Sequence, residues 1–164
     1  SEGRLSAPPP ATTVALPNDS TGAAPAALGW LHSNCGPCHA RTPNALAFFT
    51  GLSMRLTSKQ LYPDAGAAAV KDLDTYATAA NVGATQPPYL PLGFSRIAPH
   101  DPDHSLVVYL AGRRDPVGDA GIETDAEAGA LATGQMPPLA THVVDDAGVG
   151  AVRAWIAAMP DGGL

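Results

Sequence analysis

Two thiols and an imidazole stand together in Cys35-Gly36-Pro37-Cys38-His39, and the chain has no other cysteine. Three chemistries suit such a group. The spacing Cys-X-X-Cys-His suits covalent haem attachment: each thiol adds across one vinyl group of the porphyrin, and the adjacent His supplies a nitrogen to iron. On one helical turn both Cys side chains can reach the same porphyrin, and His39, four residues after Cys35, projects from the same face. Cys-X-X-Cys alone suits disulfide exchange by a thiolate of lowered pKa. The third possibility is structural, a short disulfide or half of a zinc site.

The surroundings favour the first. Cys-Gly-Pro-Cys also spells the motif of thioredoxin-like proteins, but there it follows a buried strand in a βαβ unit. Here it follows the helix-competent run Ala26-Ala27-Leu28-Gly29-Trp30-Leu31-His32, and no strand-helix alternation follows. A zinc site would need two more soft ligands at similar spacing, and a disulfide across two residues closes almost no loop. One haem c, bound through Cys35 and Cys38 with His39 on the iron, is therefore the expected cofactor.

An electron-carrying haem iron wants a second axial ligand. Met136, in Gly134-Gln135-Met136-Pro137-Pro138-Leu139, is the first choice: its thioether is a soft donor, and two prolines stiffen the loop that presents it. A His/Met pair raises the reduction potential relative to two imidazoles. Met54, Met159, His100, His104 and His142 are the other candidates, each with a duller role in a core, a helix turn or a solvated loop. His32 lies about one turn before Cys35, where a surface or capping role is expected.

The elements that must position these groups are helical. The first helix runs from Ala26 into Cys35, with Pro25 where a first-turn proline is tolerated. Residues Ala40 to Ser95 are broken by Pro43, Pro63, Pro87, Pro88 and Pro91, and only Ala67 to Thr78 reads as helix. A further helix is expected from Asp101 as cap and Pro102 as first residue through Leu110, closed by Gly112 and Arg113. The last is announced by Asp145-Asp146 and carries Val149, Val152, Ile156 and Met159 on one face until Pro160. Residues 1–25, centred on Pro8-Pro9-Pro10, read as a linker or extended arm, and 26–164 as the domain. The whole is expected to be all-α with long loops.

With these residues in view the chain resembles the class I cytochrome c family: a first helix ending in Cys35-X-X-Cys38-His39, a late Met136 loop, and a final helix bearing Trp155. Leu31-His32-Ser33-Asn34-Cys35, Ser95-Arg96-Ile97-Ala98-Pro99 before Asp101-Pro102-Asp103-His104-Ser105, and Met136-Pro137-Pro138-Leu139 are similar to bacterial mono-haem cytochrome c domains, which often occur fused to or beside oxidoreductases. The resemblance implies the cytochrome c-like fold, in which the first and last helices cross near one haem edge, with residues 40–95 as an insertion. It implies electron transfer as the function. It also implies a proline carbonyl receiving the Nδ1 proton of His39, and Arg96 pairing with a haem propionate. Implied partners are a donor dehydrogenase and an acceptor cytochrome or oxidase, and the implied compartment is the bacterial periplasm or cell exterior. A haem enzyme with an open sixth site, or the haem domain of a larger dehydrogenase, stays open as an alternative, with a thiol-disulfide oxidoreductase behind it.

Composition fits this outline. Of the 164 residues 45% are apolar but only 5% aromatic, and 17 Gly and 17 Pro imply many turns. Such a core, short of large side chains, accommodates a buried macrocycle. A net charge of -6, with Arg113-Arg114 the one adjacent basic pair, argues against a nucleic-acid surface. No apolar run approaches a membrane span and Ser1 does not begin a signal peptide, so a soluble chain is expected, any export signal or lipid anchor having been removed or left outside this sequence.

Overall fold

The computed structural model describes residues 14–64, 66–85, 89–113, 136 and 143–160, and these are helix-rich with no β-strand. Five α-helices follow in order: α1 (Ala24–Asn34), α2 (Ser58–Leu61), α3 (Asp74–Ala79), α4 (Leu106–Ala111) and α5 (Asp146–Ala158). Short 3-10 turns stand at Phe48–Thr50 and Val70–Asp72. No helix among the described residues is long and apolar enough to cross a membrane.

α1 and α5 form because each has one apolar stripe and a suitable start. In α1 the buried positions are Ala24, Ala27, Leu28 and Leu31, with Pro25 in the first turn. In α5 they are Val149, Val152, Trp155 and Ile156, and the Asp145 carboxylate caps the start by accepting the Gly148 N–H at 3.0 Å. The two stripes pack on each other. Close approach depends on Gly148, where any Cβ would collide with the Trp30 ring. The Trp30 indole then reaches over Gly148 to donate to Asp145 at 2.7 Å. Trp155, fully buried, donates to Asp19 at 2.8 Å, and Leu16 packs on the same core. Residues 14–23, the end of the segment expected as an arm, are thereby laid against the domain.

Two expected helix boundaries differ. The helix expected from Asp101 begins instead at Leu106, because Asp101 is occupied in a separate turn, accepting from the backbone and ring of His104 at 3.1 and 2.7 Å. The first N–H groups of α4 are received from a distance: Leu106 donates to Ser95 O at 2.8 Å and Val107 to Arg96 O at 3.2 Å. Of the piece Ala67 to Thr78, only the later part is α-helix, as α3, preceded by the turn at Val70–Asp72.

Segment 94–97 is threaded by isolated bridges, Ala80 with Ile97, Gly83 with Ser95, and Ser95 with Ser105. It ties α3 to the start of α4. Packing resolves into two apolar clusters. The larger gathers α1, α5, Met54, Leu56, Val70, Leu73, Ile97 and Val108, and the smaller gathers Ala84, Tyr89 and Leu110, with Phe94, Leu106, Tyr109 and Met136 against it.

Candidate functional site

Beyond α1 the chain makes one further hydrogen-bonded turn: His39 donates to Cys35 O at 2.8 Å and Cys38 to Cys35 O at 3.2 Å. The motif thus follows the C-terminus of a helix, with Cys35 as its cap. Gly36 is required by contact, because a Cβ there would run into the His32 carbonyl and the Arg55 backbone. His32 itself accepts the Leu56 N–H at 3.1 Å through Nδ1, which fastens α1 to the 52–57 segment. That is a structural post between two segments, where a surface or capping role was expected.

Cys35 and Cys38 are free thiols, and with His39 they line an open cavity of about 870 Å³, its mouth included. Its walls belong to both apolar clusters. Cys35, Leu52, Met54 and Ala111 come from the larger, Ala84, Leu106, Leu110 and Met136 from the smaller. Met136 is held to α4 by its N–H, which donates to Leu110 O at 3.0 Å. Behind it Tyr89 meets Phe94 and Tyr109 edge to face at 6.1 and 6.0 Å, and Phe94 and Tyr109 lie tilted to each other at 5.0 Å. Arg113 lies over the Tyr109 ring at 4.5 Å.

Arg96 also lines the cavity. Its guanidinium donates to Thr50 O at 2.6 Å and Thr78 O at 2.8 Å, so two of its five N–H groups are committed to the backbone. All five residues singled out in the sequence, Cys35, Cys38, His39, Arg96 and Met136, therefore border one space. The stretch 40–95, whose shape the sequence left open, contributes Thr50, Leu52, Met54, Ala84 and Thr85 to it.

Of the other possible axial ligands, Met54 is buried in the cavity wall, with its N–H on the His39 carbonyl at 2.8 Å. Met159 is buried in the larger cluster, away from the cavity, while His100 and His104 are exposed. His142, Pro137, Pro138 and Leu139 lie outside the described residues, as does most of 1–25.

Electrostatics sort the groups. Burial, then the Cys38 thiol nearby, pushes Cys35 up to about 12. Disulfide exchange needs the opposite shift, the kind a helix N-terminus supplies. Burial first and the Arg96 cation second hold His39 below the usual imidazole value, so its ring is neutral at pH 7 and carries a free lone pair. Among the described residues no three or more of His, Cys, Asp and Glu gather to hold a metal without a further group.

Sequence reasoning missed Thr50. Its hydroxyl meets His39 Nδ1 at 3.4 Å, where the resemblance implies a proline carbonyl. A lone loop Thr gives no signal of such a contact in the sequence. No protein-family model, curated protein or solved structure matches this chain.

Proposed function

We propose that the chain is a single-haem electron-transfer domain with a cytochrome c-like fold. One observation carries it: Cys35, Cys38, His39 and Met136, the first three adjacent and the fourth far along the chain, border one mostly apolar cavity between two hydrophobic clusters. The donor set fits haem. Two unbridged thiols beside a neutral imidazole suit thioether attachment and ligation, and the Met136 thioether, on the wall of the second cluster, would be a further soft donor to the iron. When bound, haem supplies one-electron exchange between ferric and ferrous iron.

What the chain itself does is hold, orient and exclude. Cys35 and Cys38 would carry the porphyrin and His39 and Met136 its iron, while Leu52, Leu106 and Leu110 keep water from it. Arg96, with N–H groups to spare beyond its two carbonyls, is the cation for a carboxylate at the rim. A donor dehydrogenase and an acceptor cytochrome or oxidase are the partner classes, met through small transient contacts, in the periplasm or outside a bacterial cell.

The test is expression in a host able to attach haem, followed by denaturing gels stained for haem and visible spectra of both oxidation states. Covalent haem lost in Cys35→Ala/Cys38→Ala is expected. A low-spin ferric spectrum whose weak far-red band disappears in Met136→Ala is expected too. A colourless wild-type chain sinks the proposal, and rapid cyanide binding by a high-spin wild type moves it to a haem enzyme.

A further inference from the structure

The Thr50 hydroxyl has its one hydrogen and one of its two lone pairs assigned within its own turn. It donates to Ala47 O at 2.7 Å and accepts from the Leu52 N–H at 3.2 Å. Its one hydrogen is committed, so toward His39 Nδ1, 3.4 Å away, the oxygen can only accept. An Nδ1–H ring is the tautomer that can bond to it, and that tautomer leaves the Nε2 lone pair unprotonated. Thr50 is itself held: Arg96, half-buried on the cavity wall, grips its carbonyl at 2.6 Å and anchors its other N–H on Thr78 O. The 3-10 turn Phe48–Thr50 ends at Gly51, in left-handed conformation at φ 65°, and the hydroxyl is held within that turn by Ala47 O.

We infer that Thr50 is a positioning residue for His39: a hydroxyl, braced from behind by Arg96, selects the Nδ1–H tautomer and fixes the ring's rotation. The inference rests, for its functional consequence, on the haem reading above. A hydroxyl differs from a backbone carbonyl in two ways. It is the weaker acceptor, so the imidazole carries less anionic character and donates less to iron. It can also be deleted by one substitution, which a carbonyl cannot.

The experiment compares wild type, Thr50→Val and Thr50→Ser. In haem-bearing protein, the expected result for Thr50→Val is at least tenfold faster solvent exchange of the His39 Nδ1 proton in the ferrous state. A higher reduction potential accompanies it, because the ring loses its acceptor. Thr50→Ser restores both. A Thr50→Val protein with wild-type exchange and potential overturns the inference while leaving covalent haem, and hence the functional reading, intact.

A haem-independent arm separates the two. In the chain prepared without haem, the ring 15N shifts of His39 above its titration are expected to show Nδ1–H in wild type and a move toward Nε2–H in Thr50→Val. Should no preparation carry haem, that spectrum still decides the role of Thr50, because an Nε2–H wild-type ring refutes it. Circular dichroism of each variant identifies any loss of fold, and Thr50→Ala, which also lacks the hydroxyl, takes the place of the Val variant if that one unfolds.

Discussion

Where α1 crosses α5, the two helices close on each other: Leu28 and Leu31 meet the stripe of Val152, Trp155 and Ile156, and the Trp30 ring lies on Gly148. A few residues further along, the same α1 runs into the turn that bears the motif. Cys35, Cys38 and His39 instead face a cavity that continues to Leu106, Leu110 and Met136. Both regions are lined by aliphatic side chains, so hydrophobicity does not separate them. Completeness does. The crossing fills itself with protein atoms, whereas two clusters at the cavity come near without interdigitating. Apolar walls that line a cavity gain less burial and dispersion than a filled core does.

The sharpest way to break this contrast is at the buried indole. Trp155→Ala removes the largest fully buried side chain, along with its bond to Asp19, and should cost about 3–5 kcal/mol in urea or thermal unfolding. A loss below about 1 kcal/mol would show that the crossing is not the structural half of the molecule.

A paired enlargement sharpens it. Val152→Phe, in the filled crossing, overpacks and should cost about 1–3 kcal/mol. Val107→Phe, on the cavity wall, has space to enter and should cost under about 1 kcal/mol in the haem-free chain. The ranking reverses for cofactor capture, where Val107→Phe should diminish covalent haem on a denaturing gel and Val152→Phe, provided it folds, should not. Equal stability losses at the two sites would erase the distinction between the regions.

How much of this was legible follows the same division. α5 could be read because its signals are local: Asp145 as cap, apolar residues at helical spacing, and Pro160 as stop. The turn bearing Cys35, Cys38 and His39 was legible because its chemistry is adjacent in sequence, and Met136 because a soft donor stood among prolines. α4 was misplaced at its start because its first N–H groups are received by Ser95 and Arg96, carbonyls contributed by another segment that no local pattern announces. Thr50 went unseen for the same reason. Its value lies in a contact with His39 that only the folding of residues 40–50 creates, through the clasp of Ala47 N–H on Cys38 O at 3.0 Å. Residues 40–95 read as a stretch broken by prolines, and prolines mark where helices stop and not where the intervening chain goes.

The smallest expected effect tests whether the crossing is held by anything beyond packing. Asp145 accepts from Gly148 N–H and from the Trp30 indole, and these bonds, the backbone one first, hold its carboxyl below the usual carboxylate range. A carboxyl whose pKa is lowered by folding stabilises fully above its unfolded value and loses that contribution as pH falls through the folded one. The difference in unfolding midpoint between wild type and Asp145→Ala should therefore be present at pH 7 and shrink toward pH 3. Asp101, which is also held low through His104, is common to both proteins and cancels in the difference. Because Asp145 is exposed, the gap should narrow further with added salt. A gap unchanged between pH 7 and pH 3 would mean that the carboxylate's charge contributes nothing and that hydrogen bonds to the neutral carboxyl carry the whole difference.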